Sequence, residues 1–391
     1  MIIITGISSV RGIRAARRSY SALTWHPLGD QQQEEAFRRC LPNQSQIDFA
    51  SLSRKGFYEE ADDGDLWVLV ADASHRRNKG GIRCTVFSGT LPHHALMQIE
   101  PDICCTSPAF TALLYARSHT FAQTFMLIME LLGAYTLPPE ATFPLENGKT
   151  WPNLDGSDTS SEQQTEGKSE DDDPPHISDE DVLADSQTRE TKIVAAVVDQ
   201  IHNGCEAATT LEELEALAAW TTRGIDETFR RAVRYAAEGS RSPAESVQYG
   251  MFGLPHRYGG FNCAALPQGV LLNFRLDFND NAVAMADGMP YADCDLYIPA
   301  AKSDIEYNGI GHELVNSRIH DANRNNGLQG MGVRVIVIDR KQMASITALE
   351  AIAETIHRFA GVRYRYQVKE YRKLQDRLLN DLRKAVGMPP V

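Results

Sequence analysis

The stretch that decides the fold is DCDLYIPAAKSDIEYNG, Asp293–Gly309. Two runs of strand-forming residues, 293–298 and 303–308, flank a short Pro-Ala-Ala-Lys connection, which is the pattern of a tight antiparallel hairpin. Side chains two apart on a strand share a face. Glu306 and Asn308 therefore project together, with Ile305 and Tyr307 opposite. The hairpin brings Asp295 beside Glu306. Two carboxylates from neighbouring strands can share one hard cation, Mg²⁺ or Mn²⁺. Acids beside a turn are also common at solvated hairpin edges, so spacing alone leaves both readings open.

Around the hairpin, Ser242-Pro243-Ala244-Glu245 is a helix start, with Ser242 as cap and Pro243 in the first turn. Strand-like residues 269–277 follow it. A helix over 313–329, a buried strand over 332–338 and a helix over 341–360 come after the hairpin. This order describes an α/β domain with a mixed sheet flanked by helices. Glu245 is positioned to add a third carboxylate.

At this point the residues resemble the Vsr-like branch of the PD-(D/E)xK endonuclease superfamily, fused behind an AbiEi-like, abortive-infection region. The motifs that carry the likeness run in order. They are Ser242–Glu245, Asp295-Leu296-Tyr297-Ile298-Pro299, Glu306-Tyr307-Asn308-Gly309 with His312, Asp321/Arg324/Asn325, and Met331–Val335. Upstream, Gly80–Leu91 and Thr106-Ser107-Pro108 with the two helices after it look like the AbiEi-type portion. No winged helix-turn-helix is recognisable in residues 1–65.

The resemblance implies a restriction-endonuclease-like domain that cleaves DNA with Mg²⁺ or Mn²⁺, in phage defence or plasmid control. Asp295 and Glu306 would bind the metal, and Glu245 the metal or a lytic water. The superfamily places a Lys two residues after the Glu. Here that position is Asn308, which can hydrogen-bond a water but cannot take its proton. Lys302 lies roughly 20 Å away along the strand and does not replace it. His312 is a candidate general base or a surface histidine. Arg324 either clamps a phosphate or pairs with Asp321, one helical turn before it. The rival expectation is a DNA-binding, antitoxin-like regulator that keeps the nuclease fold without catalysis.

The chain has 391 residues and a formal charge of −13. Residues 146–190 hold 14 acids against 3 basic residues, a net of −11. They lack the aliphatic residues to offset ordering entropy and read as a disordered acidic linker. The expected organisation is an AbiEi-like mixed α+β region over 1–145, the linker over 146–190, and the nuclease-like domain over 191–391. Outside the linker acids and bases nearly balance, so the acidity does not argue against nucleic acid as partner. The linker itself reads as a solvated charge run, with a site for a basic protein partner or a nucleic-acid mimic as the alternatives.

Residues 358–384 hold nine Lys/Arg against three acids. Arg363, Arg365, Lys369, Arg372 and Lys373 are the candidate DNA-backbone contacts. Tyr364, Tyr366 and Tyr371 lie among them, either to stack bases or to pack an amphipathic helix through Leu374, Leu378, Leu379 and Leu382. The seven cysteines form no CxxC pair, which suggests reduced thiols in a cytoplasmic protein. Cys104 and Cys105 read as small buried residues. His93, His94 and His256 read as structural. The apolar stretch 121–135 is too short and too interrupted to span a membrane.

Overall fold

The computed structural model of the protein describes residues 1–44, 47–59, 65–78, 80–139, 200–308, 315–365 and 368–391. The acidic stretch 146–190, Gly309, His312 and Tyr366 lie outside the described residues.

The chain is α/β with mixed sheets. The first sheet is built from β1 (Ile2–Ile4), β2 (His26–Pro27), β3 (Leu66–Val70), β4 (Ile82–Val86), β5 (Leu96–Glu100) and β6 (Ile103–Thr106). Its order is β2-β5-β6-β1-β3-β4, with β1 parallel to β6 and antiparallel to β3. The short apolar run at residues 2–4 is thus an inner strand, buried along its length. Helices α1 (Gly6–Tyr20), α2 (Asp30–Arg39), α3 (Phe49–Arg54), α4 (Pro108–Ala116) and α5 (Phe121–Leu132) complete this part. Cys104 and Cys105 are buried free thiols in β6.

Helix α5 is the apolar stretch read from sequence. Thr120 and Gln123 cap it reciprocally, and nearly all of its side chains are buried. No described helix is long and apolar enough to cross a membrane. The acid inside it, Glu130, meets Arg14 of α1 through two hydrogen bonds of 2.9 and 2.6 Å.

Strands β7 (Tyr135–Thr136) and β8 (His202–Asn203) pair across the intervening segment. Three helices follow: α6 (Leu211–Trp220), α7 (Glu227–Tyr235) and α8 (Pro243–Gly253). The start read at Ser242 holds, with the Ser242 hydroxyl accepting from the Glu245 amide at 3.2 Å. Buried residues of α5, α7 and α8 belong to one hydrophobic core.

The second sheet has the order β12-β11-β10-β9. It contains β9 (Leu271–Asp277), β10 (Tyr291–Ile298), β11 (Ser303–Asn308) and β12 (Arg334–Asp339), with a short helix α9 (Asp280–Met285) after β9. β9, β10 and β11 run antiparallel, and β11 runs parallel to β12. The parallel pair needs a crossover, which α10 (Val315–Gly330) supplies. Helices α11 (Arg340–Met343), α12 (Ile346–Phe359) and α13 (Tyr371–Ala385) end the chain. The single helix expected over 341–360 is two, interrupted where Ser345 caps the second.

One face of this sheet, with Leu296, Ile298, Ile305 and Ile338, joins the main core. The other, with Ala292, Cys294 and Tyr297, packs on Leu328 of α10. Cys294 and Tyr297 share a face although their spacing is odd. Leu271 and Phe274 of β9 do the same. The alternation therefore breaks on both strands at one rung, where Asn273 and Asp295 stand opposite. Asn273 has φ of 45°, a left-handed value inside a strand.

Candidate acidic site

The break at Asn273 and Asp295 shapes the site. The β10–β11 ladder runs only from Ile298↔Ser303 to Tyr297↔Asp304. At the next position the Asp295 carboxylate, not a main-chain carbonyl, accepts the Tyr307 amide at 3.3 Å. The strands part there, with Asp295 on one side and Glu306 on the other.

Glu245 approaches from the first turn of α8. Its carboxylate accepts from the Ser242 hydroxyl at 2.9 Å, the Arg241 amide at 2.8 Å and the Asn273 side-chain amide at 2.5 Å. Asn273 also donates to the Gly239 carbonyl at 2.8 Å. Glu245 thus braces the left-handed residue beside Asp295.

Arg324 of α10 donates to Glu306 Oε1 and to the Asp293 carbonyl, and to Asp304 Oδ2 at 3.1 Å. Two strand acids hold it on its own face of the sheet, which the spacing within α10 gave no means to foresee. Asp304 is the residue that the sequence reading missed. It is fully buried, and its Oδ1 has no hydrogen-bond partner among the described residues. Its place two residues before Glu306, on the same strand face, was the signal that pointed to it.

The acids outnumber the one arginine. Burial raises the Asp295 carboxyl to about 7, with Glu306 and Glu245 adding to the rise against the Tyr307 amide and Arg324. Burial also raises Glu306, and Asp304 beside it pushes further against Arg324. Burial raises Glu245 despite its three hydrogen bonds. Excess buried negative charge takes up protons or a cation.

Oxygen donors in this state suit a hard divalent ion, and Asp304 Oδ1 is a buried acceptor left unfilled. Among the described residues no three His, Cys, Asp or Glu side chains are grouped to hold one ion. The fit is therefore to two carboxylates, Asp295 and Glu306, with water and phosphate completing the shell as Mg²⁺ prefers. Asn308 ends β11, exposed, on the Glu306 face.

No family model, no curated protein and no solved structure matches the chain.

The basic residues of the C-terminal part are not brought to this site. Arg363, Arg365 and Lys369 are exposed. Arg372 pairs with Glu350, and Lys373 with Glu370 at 3.5 Å. α13 packs through buried Leu378, Leu379 and Leu382. Tyr364 and Tyr371 turn inward rather than stacking in solvent. Tyr371 is buried and donates to the Gly260 carbonyl at 2.7 Å, and Tyr364 lies 3.1 Å from it, oxygen to oxygen. His256 packs edge-on against both rings, and His93 bonds Asp30 at 2.8 Å.

Proposed function

We propose that the chain is a Mg²⁺- or Mn²⁺-dependent endonuclease acting on DNA. In this reading residues 191–391 are a Vsr-like PD-(D/E)xK region behind an AbiEi-like one over 1–145. The observation that carries the reading is Asp295 beside Glu306 where β10 and β11 part, with an excess of acid that one divalent cation would relieve. A cation held there supplies hydroxide at neutral pH and stabilises charge on the phosphate.

The chain's own residues do the rest. Asp295 and Glu306 would hold the cation, and Glu245 fixes the bend that presents Asp295. Arg324 offers a planar guanidinium that would suit a phosphate oxygen. Asn308 orients a water without taking its proton, and His312, four residues on, is the proposed base. Arg363, Arg365 and Lys369, which precede α13, and Arg372 and Lys373 in its first turn are the proposed backbone contacts.

Supercoiled plasmid incubated with Mg²⁺ or Mn²⁺ at several salt concentrations tests the reading. Wild type is expected to nick it, and Asp295→Asn or Glu306→Gln to slow nicking by about a thousandfold. Wild type that nicks nothing in either metal overturns the reading.

A second reading is favoured by the Arg324 ion pairs and by Asn308: a DNA-binding regulator whose acids are neutralised by arginine instead of metal. DNA binding that needs no metal and survives Asp295→Ala, without cleavage, selects it.

A further inference from the structure

Tyr307 follows Glu306 on β11 and so faces the other side of the sheet. A cavity of about 150 Å³ lies there, where the first turn of α8 meets α11 and the end of α13. Val247, Met343 and Met388 give it apolar walls, and Tyr307, Arg340 and Arg383 bring polar groups into it. No carboxylate is among its described lining residues.

Arg340 is half-buried, and its side chain makes no hydrogen bond or ion pair with a described residue. A guanidinium keeps its charge at any physiological pH and carries five donors. Leaving it unmatched beside apolar walls is unfavourable. Tyr307, Arg340 and Arg383 line this one cavity, and Arg383 Nε donates to the Pro389 carbonyl at 2.8 Å. The neighbouring Asp339 carboxylate caps α11, accepting from the Gln342 amide at 2.7 Å.

We propose that this cavity is a binding site for a small organic monoanion. Its carboxylate meets Arg340 and Arg383, and its compact apolar body lies on Val247, Met343 and Met388. The volume sets the size, because a cavity of about 150 Å³ takes one benzene-sized group. The charge pattern sets the polarity: cationic at one end, apolar at the other. The site is independent of the nuclease reading. It is nevertheless one residue from it, because the Tyr307 main-chain amide holds Asp295. A ligand that moves Tyr307 acts on the Asp295 carboxylate through that bond.

The test is calorimetric titration of the full chain at low salt with sodium benzoate and, separately, with neutral benzyl alcohol. Saturable benzoate binding is expected, with benzyl alcohol at least tenfold weaker. Arg340→Met should weaken benzoate tenfold or more, and Arg340→Lys should recover part of it. Met388→Trp, which fills the cavity and keeps every charge, should also abolish binding. Circular dichroism of each variant checks folding. No saturable heat with wild type overturns the proposal. So does benzoate binding that Arg340→Met and Met388→Trp both leave unchanged, which would place the anion on the basic surface of residues 363–373.

Discussion

Glu130 and Glu306 are both glutamates held by an arginine from a neighbouring helix, and they end with opposite proton affinities. Glu130 is wholly buried, which alone would raise its carboxyl. Arg14, the Leu137 amide and Arg17 outweigh that and hold it below the usual range. The Thr136 hydroxyl and Leu137 amide each reach it at 3.0 Å. Glu306 shares Arg324 with Asp304 and lies beside Asp295, so one cation faces three acids. The first assembly is electrically closed and ties α1 to α5. The second is short of positive charge, and that shortage distinguishes a site from a staple.

The largest effect is expected from breaking the closed assembly. Glu130→Ala removes the two hydrogen bonds that Arg14 makes to it in the core and should cost about 3–5 kcal/mol in urea unfolding. A loss under about 1 kcal/mol would mean that the network is not holding α1 to α5.

The open assembly should respond to pH in the opposite sense from the closed one. Asp295 titrates near 7 when folded and near 4 when unfolded. The folded state then binds its proton more tightly. Its contribution is complete below about pH 4 and is lost as pH rises through about 7, by at most about 4 kcal/mol. Glu130, held low, loses its contribution only in acid. Melting followed from pH 5 to 8 should therefore show a decline that Asp295→Asn flattens and saturating Mg²⁺ offsets. A decline identical in the variant would assign it to another group.

The smallest effect sharpens the role of Arg324. If it stands in for metal, Arg324→Met removes a competitor, and Mn²⁺ affinity by calorimetry should rise severalfold. A fall would make Arg324 a brace for the ligands rather than their rival.

Much of this was legible in sequence wherever the signal is local. The hairpin of β10 and β11 followed from alternation around Pro299, and the start of α8 from Ser242 and Pro243. The meeting of Asp295 and Glu306 followed from the hairpin. What depends on distant parts of the chain was not legible. Arg324 lies in α10, whose spacing names Asp321 as neighbour but says nothing about the sheet beneath. Asn273 is of a type that tolerates a left-handed backbone, but nothing beside it in sequence marks the position, which Glu245 and the Gly239 carbonyl hold in place. Tyr371 among cations suits a nucleic-acid surface as well as a buried ring, and only the Gly260 carbonyl decides between them. In the N-terminal part, β1 is too short for its periodicity to be read, and it is a strand because β3 and β6 enclose it.

The pairing of Tyr135–Thr136 with His202–Asn203 has a consequence for what joins the two strands. It fastens both ends of the intervening segment to one core. The entropy of closing a flexible loop grows only with the logarithm of its length, about 0.6 kcal/mol for each doubling. The separation of β7 and β8 along the chain is thus a weak term in joining them, and the partners each strand finds in the fold are the strong one.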